Sequence, residues 1–340
     1  MYARIRPLLF RADPESIHGW TLSALRLAGG VVPVRWLLRR MFCVSDPHLR
    51  TEAFGLNFEN PVGLAAGYDK DARAVRGLAS LGFGHIEVGT VTRLPQSGNP
   101  RPRIFRLPED EALINRMGFP NAGAEALRRR LRRLSSAGVR IGVNIGKGRD
   151  TPLERATDDY LELMRTFDGL ADYIAVNVSS PNTLGLRRLQ ARDHLETLLR
   201  ALVDERRRLG HTPPVPLLVK VAPDLAEAEL EDAVGAITAA GVEGIVATNT
   251  TLGREGLRSR RGTEAGGLSG VPLRERSLGC VRAIVRLTGG RVPVVAVGGI
   301  VGPEDARRAL DAGAALVQVY TGLVYRGPAL VRDILRGLSG

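Results

Sequence analysis

The sequence predicts an α/β chain folded as a (β/α)8 TIM barrel with an N-terminal helical extension, and three observations carry that reading. Eight short runs rich in Val and Ile recur along the chain. Segments of helical period separate most of them, as parallel strands require. Polar residues gather where the runs end, and in a barrel that rim carries the chemistry.

Taken in order, the runs are NPVGLAAG (60–67), HIEVGTV (85–91), RIGVNIG (140–146) and YIAVNVSS (173–180). They continue with PLLVKVAP (216–223), GIVATNT (244–250), PVVAVGGI (293–300) and LVQVYTG (316–322). Each reads as a strand buried on both faces. ARAVRGLASLG follows the first run, AEALRRRLRRLSSAG precedes the third and DDYLELMRTFDGLA precedes the fourth. After the fifth, Asp224 is expected to cap a helix, with Glu227 three residues on. GPEDARRALDAGA follows the seventh and opens with Pro303 in a first turn, where a missing N–H costs nothing. A doubly wound sheet is the competing arrangement, but no glycine-rich dinucleotide fingerprint follows the first strand. The barrel is assigned to residues 43–340 and the extension to residues 1–42.

The 340 residues are 44% hydrophobic and 25% charged, the balance of a globular protein. No apolar stretch approaches the roughly 20 residues that span a bilayer. Arg11, Asp13 and Glu15 interrupt the N-terminus too early for a signal peptide, so a cytoplasmic chain is expected. Two cysteines, Cys43 and Cys280, support neither a disulfide framework nor a thiolate site, and five scattered histidines give a metal centre no support. The net charge of +12 is densest in LRRRLRRL (127–134), where Leu127, Leu131 and Leu134 recur at helical spacing. The arginines between them read as a solvated helix face.

At the strand ends stand Lys70, Thr90, Asn144, Asn177, Ser180, Lys220, Thr248, Asn249, Gly299 and Thr321. The last two strands run into the glycine-bearing loops VGGIVGP and YTGLVYRGP, the place where barrels offer backbone N–H groups to a phosphate. Gly298, Gly299 and Gly322 fit that role, or equally the bland one of permitting tight turns. Lysine is rarely buried without a partner, so Lys70 and Lys220 point to an anion or an electron-rich ring carbonyl. Asn115, Asn144, Asn177, Asn182 and Asn249 supply donors and acceptors to a planar, amide-like ligand. Neither a Ser-His-Asp set nor a P-loop is present, which leaves the hard chemistry to a cofactor.

The strings NPVGLAAGYDKD, EVGTVT, PRIFRL, INRMGFPN, GVNIGK, NVSSPNT, VKVAPDL, ATNTT, GGLSG, AVGGI and VQVYTG occur in this order. They resemble dihydroorotate dehydrogenases of the quinone-reducing, membrane-associated class from about residue 13 nearly to the C-terminus. The resemblance implies FMN in the barrel mouth, oxidation of (S)-dihydroorotate to orotate in pyrimidine (UMP) biosynthesis, and electrons passed to a membrane quinone. It places FMN on Ala66, Gly67, Lys70, Thr90, Asn144, Asn177, Lys220, Thr248, Gly270, Gly299, Tyr320 and Thr321. It places the substrate on Lys70, Asn115, Arg116, Met117, Gly118, Phe119, Asn177, Asn182, Asn249 and Thr250. Ser180, the second serine of NVSSPNT, becomes the general base, with Thr183 or Thr250 as a relay for its proton. The soluble class of the family uses cysteine as base, and neither cysteine here lies near the matching motif. The family usually has Leu or Phe where Tyr68 stands.

In the extension, Val34, Leu37, Leu38 and Met41 share an apolar face with Arg35 and Arg39 opposite, and Ile17, Trp20, Ala24 and Leu27 repeat the design. Seven arginines against two acids complete an interfacial pattern suited to an anionic leaflet; a helix pair packed only on the barrel is the alternative. The resemblance favours a monomer held peripherally on the cytoplasmic face of the cell (inner) membrane. Quinone would then pass His18, Arg106 and Tyr320 through a tunnel under these helices. Two other readings stay open: a different FMN barrel oxidoreductase, including a soluble enzyme using fumarate or NAD, and a basic nucleic-acid-binding protein.

Overall fold

The computed structural model describes residues 2–134, 138–183 and 185–339. Three helices come first: α1 (Tyr2–Leu9), α2 (Pro14–Gly30) and α3 (Val32–Phe42). α2 starts where Asp13 accepts a hydrogen bond from the Ser16 N–H at 2.8 Å, with Pro14 in its first turn. Next come a hairpin of β1 (Thr51–Ala53) and β2 (Leu56–Phe58), then β3 (Val62–Leu64), α4 (Val75–Ala79), β4 (His85–Val91), β5 (Ile104–Leu107) and β6 (Ala112–Asn115). The chain continues through α5 (Ala124–Arg132), β7 (Arg140–Ile145), α6 (Ala156–Phe167), β8 (Tyr173–Asn177), α7 (Arg192–Leu209), β9 (Leu217–Val221) and α8 (Glu227–Ala240). It finishes with β10 (Gly244–Ala247), β11 (Gly267–Gly270), α9 (Arg274–Thr288), β12 (Val294–Val297), α10 (Pro303–Asp311), β13 (Leu316–Val319), α11 (Thr321–Arg326) and α12 (Leu330–Leu338).

Eight of these strands close a parallel barrel in the order β3, β4, β7, β8, β9, β10, β12, β13 and back to β3. They are the eight runs read from the sequence, and the expected fold class is the observed one. All but β4 stop short of their runs: β8 leaves the ladder after Asn177 and β10 after Ala247, so Ser180 and Asn249 sit on loops rather than on strands. The hairpin turns Phe54 and Phe58 toward the barrel floor, where they pack with Tyr173, Leu218, Val246 and Val295. A Cβ on Gly244 would lie 2.5 Å from the Phe54 ring, so that strand must carry glycine there.

A second sheet, antiparallel β11-β6-β5, stands beside the rim and was not among the expected elements. It is built from PRIFRL, the ALIN strand that runs into INRMGFPN, and GGLSG, with Asn115 paired to Gly267 and to Ile104. Asp224 does not cap α8 as expected: that N-cap is Ala226, whose N–H donates to the Glu229 carboxylate at 2.8 Å. Asp224 instead accepts from Arg187 at 2.8 Å and Arg276 at 3.1 Å, because a charged pair with two guanidinium groups competes successfully for a single carboxylate. In α5, Leu127 and Leu131 are buried while most of the interleaved arginines face solvent.

The extension lies against the barrel through specific contacts. Glu15 makes a two-pronged pair with Arg103 at 2.7 and 3.1 Å. Gly29 and Gly77 bring α2 onto α4 so closely that a Cβ on Gly29 would meet the Gly77 nitrogen at 2.5 Å. Tyr2 donates its hydroxyl to the Val324 carbonyl at 2.7 Å. Among the described residues no helix is long and apolar enough to cross a membrane.

Candidate active site

β4, β7 and β8 place Thr90, Asn144 and Asn177 side by side at the rim. The Thr90 hydroxyl donates to Asn144 Oδ1 at 2.5 Å, and Asn177 Nδ2 donates to Thr90 Oγ1 at 2.9 Å and Asn144 Oδ1 at 3.2 Å. Because Asn144 Oδ1 is thus occupied, its Nδ2 must face inward, where it meets the Glu87 carboxylate at 2.8 Å. The buried Tyr160 hydroxyl holds the Asn177 carbonyl from the helix side at 2.8 Å.

Above this cluster the NVSSPNT loop turns back over the mouth. Ser180 is buried at the cavity wall, and its Oγ accepts from the Asn182 N–H at 3.2 Å. Asn182 Nδ2 reaches Asn115 Oδ1 at 3.3 Å, and Asn249 Nδ2 reaches Ser179 Oγ at 3.0 Å, so three loops tie their amides to one another. Arg187 fixes the arrangement from behind, donating to the Ser179 carbonyl at 3.1 Å and the Thr250 carbonyl at 3.0 Å while Asp224 holds its remaining edge. The Thr183 hydroxyl, three residues beyond Ser180, is buried with no hydrogen-bond partner among the described residues.

The cleft these loops surround, counted out into its open mouth, holds about 1000 Å³. Its walls include Ala66, Gly67, Lys70, Thr90, Asn177, Ser180, Lys220, Thr248 and Asn249. Asn115, Met117, Gly118, Phe119, Asn182 and Thr250 also line it, as do Gly270, Gly299, Tyr320 and Thr321. Lys70 Nζ donates to the Gly67 carbonyl at 2.7 Å, and burial pushes its ammonium down to about 8, opposed by the Asp71 carboxylate. Lys220 is buried too, and its pKa is lowered by desolvation while Glu87 opposes the shift. At the far end Gly299 holds φ +73°, and a Cβ there would lie 2.4 Å from Arg274. A Cβ on Gly322 would come within 2.3 Å of the Ile300 carbonyl. Both glycines are buried at the cavity wall where a bulkier residue could not stand.

Of the residues expected around the cavity, Arg116 and Asn144 do not line it, while His18 and Arg106, expected along the quinone's way in, stand at the extension. Arg116 turns from the cavity, pairing with Glu264 at 2.9 Å and stacking over Phe105 at 4.5 Å. Arg106 donates to the Ala12 carbonyl at 2.8 Å and lies 4.7 Å over the Phe10 ring, bolting the α1–α2 connection down. His18 stacks on Tyr68 with centroids 4.8 Å apart, and Tyr68 in turn meets Tyr320 at 5.5 Å. Asn144 lies just beneath the wall, buried under Thr90 and Asn177. Gln318, Ser269 and Ile300 line the cavity without having been singled out in the sequence. For Gln318, an amide within LVQV was the available signal.

Lysine nitrogens, unengaged amide and hydroxyl edges and glycine backbone facing one cavity at a barrel's C-terminal rim suit a planar, carbonyl-bearing ring and a phosphate. They define a (β/α)8 enzyme that works through a bound cofactor. The comparisons make the class specific. The family model for dihydroorotate dehydrogenase matches residues 48–340. A dihydroorotate dehydrogenase (quinone) of Roseiflexus sp. is 54% identical over 339 residues, covering 100% of this chain and 93% of its relative. One from Acidithiobacillus ferrooxidans is 50% identical over 346 residues, with 100% and 94% covered. A crystal structure of DHODH in complex with ferulenol from Eimeria tenella superposes with a TM-score of 0.86 at 39% identity, covering 96% of this chain and 90% of that one. This chain belongs to the dihydroorotate dehydrogenase family, and it is an enzyme.

Proposed function

We propose that this enzyme oxidises (S)-dihydroorotate to orotate for pyrimidine (UMP) synthesis, with FMN as hydride acceptor and a membrane quinone as final electron acceptor. One observation carries the reading: Ser180, Asn115, Asn182, Asn249 and Thr250 face the same cavity as Lys70 and Lys220. A weak base, a ring of amides and two cations are what a small cyclic imide carboxylate and a flavin would need together.

FMN would rest on Ala66, Gly67, Lys70, Thr90, Asn144, Asn177, Lys220, Thr248, Gly270 and Tyr320. Its phosphate would rest on the glycine loops at Gly299 and Thr321. When bound it supplies a two-electron acceptor for the hydride leaving C6 of the substrate. The protein contributes the rest. Asn115, Asn177, Asn182 and Asn249, with Thr250 and the backbone of Met117, Gly118 and Phe119, hold the ring in one orientation. Lys70 binds the carboxylate, and Arg116 steadies the loop it begins. Ser180 Oγ takes the proton from C5, and Thr183 or Thr250 passes it on. Breaking two C–H bonds of one substrate needs a base on one side and the acceptor on the other, which is why the NVSSPNT hydroxyl belongs at the mouth.

The extension would bring the enzyme to the cytoplasmic face of the cell membrane as a peripheral monomer, with His18, Arg106 and Tyr320 along the quinone's way in. Among the described residues, ten of the twelve exposed large hydrophobic ones belong to α1–α3 and the residues beside them, a bias a merely barrel-packed helix pair does not need. The decisive experiment is an absorption spectrum of the purified protein before and after anaerobic addition of dihydroorotate. A yellow protein that bleaches supports the reading. A colourless protein, or a flavin that does not bleach, overturns it. Acceptor profiling with quinone, fumarate and NAD separates it from other flavin barrels.

A further inference from the structure

Beneath the cavity floor the barrel buries a carboxylate for which nothing above supplies a role. Glu87 is central in β4 and has no exposed surface. Its Oε1 accepts from Asn144 Nδ2 at 2.8 Å, and its Oε2 accepts from Gln318 Nε2 at 2.9 Å and the Tyr173 hydroxyl at 3.2 Å. Three groups donate and none accepts, which is the bonding pattern of an ionised carboxylate. An ionised carboxylate in a barrel core costs several kcal/mol unless a counter-charge answers it. His85, 3.4 Å from Gln318 Nε2, is no such partner, because burial pushes its imidazole down to about 3 and leaves it neutral. Lys220 on β9 is the register neighbour of Asn177, two hydrogen bonds from Glu87 through Asn144, and its charged form is the one the Glu87 carboxylate favours. Lys220 also lines the cavity wall.

We propose that Glu87 is a positioning residue for the cofactor pocket, setting the amide orientation of Asn144 and supplying the counter-charge to Lys220. The first effect propagates: with Nδ2 held by Glu87, Asn144 must offer Oδ1 to both Thr90 and Asn177, so one carboxylate orients three rim side chains. The second effect is electrostatic. A flavin gains negative charge on reduction, and the net charge of the Lys220–Glu87 couple sets how well that charge is received. The Gln318 Oε1 atom, buried without a partner on a side chain that lines the cavity, marks where this network reaches the ligand.

The inference rests on the flavin reading and is tested on flavin-loaded protein by affinity and potential rather than turnover. Glu87→Gln keeps the volume but turns an N–H2 group against donors that the carboxylate accepts from, and it leaves Lys220 unanswered. Flavin affinity is expected to fall at least tenfold. The oxidised–reduced equilibrium should shift at least tenfold toward reduced flavin, a rise of about 30 mV for a two-electron couple. Glu87→Asp retains the charge with a shorter reach; it should lose affinity while holding the potential near the parent value, and it carries the test if the glutamine variant does not fold. Tyr173→Phe removes one donor without touching charge, so it should lower the melting temperature and leave the potential alone. Variants that lose thermal stability but keep parental affinity and potential would reduce Glu87 to a packing element and overturn the proposal, as would equal potential shifts for Asp and Gln. Parent protein that holds no flavin fails the earlier reading instead.

Discussion

Tyr68 stands edge to face between two rings, its centroid 5.5 Å from Tyr320 and 4.8 Å from His18. Tyr320 lines the cavity and His18 belongs to α2, so Tyr68 joins the extension to the floor of the site.

Replacing it separates two functions. Tyr68→Ala should cost about 3–5 kcal/mol in chemical denaturation, the range for deleting a buried aromatic, and should depress quinone-dependent turnover more than anaerobic flavin reduction. Tyr68→Phe retains both ring contacts, so stability should stay within about 1 kcal/mol of the parent. Equal loss of both half-reactions in Tyr68→Ala would count against a link to the electron acceptor.

Ser180 tests the chemistry itself. Ser180→Ala leaves every flavin-facing group in place and removes only the hydroxyl that accepts from the Asn182 N–H. Flavin content should be unchanged, and its reduction by dihydroorotate should slow by about 10²–10⁴-fold, the contribution of a positioned base. Near-normal reduction in stopped flow would move the base to another residue.

How much of this was legible in the sequence depended on whether a residue's environment was local. The eight barrel strands were legible because burial on both faces writes unbroken Val and Ile runs. The rim residues followed because each ends such a run. Asp224 was misread because the cap rule considers only the next turn, while its partners Arg187 and Arg276 lie far away in sequence. Glu87 is a charge inside HIEVGTV, a signal the sequence displays and that strand reading passes over. The second sheet is not legible in the same way, since its strands are four residues each and β11 joins β6 across about 150 positions of chain, which no local period records; only β5 and β6 are near neighbours in sequence.

Lys70 predicts the pH profile. Burial disfavours its ammonium and brings the pKa down to about 8, so the charged form prevails below that pH and is lost above it. An anionic substrate should therefore bind fully on the acid side, and kcat/KM should fall by about tenfold per pH unit on the alkaline side, since that ratio reports the free enzyme. In Lys70→Gln the alkaline limb should vanish and KM should be high throughout. A limb that persists unchanged in the variant would belong to another group.

The outer face of the extension makes the last prediction. Trp20 is 73% exposed, Leu27 72% and Trp36 62%, while Leu22, Gly29 and Phe42 on the opposite side are buried against the barrel. Because the two faces are separate, charges can be placed on the outer one without disturbing packing. Trp20→Glu with Trp36→Glu should leave the melting temperature and anaerobic flavin reduction intact. Burying each large apolar side chain is worth about 1.5–3 kcal/mol, and tenfold in an equilibrium corresponds to about 1.4 kcal/mol. Losing two such anchors should then lower partition onto vesicles of anionic phospholipid by about a hundredfold or more, and quinone turnover on those vesicles should fall with it. Undiminished co-sedimentation of the double variant would leave the membrane without a purchase on this face, and the exposed tryptophans would need a different partner.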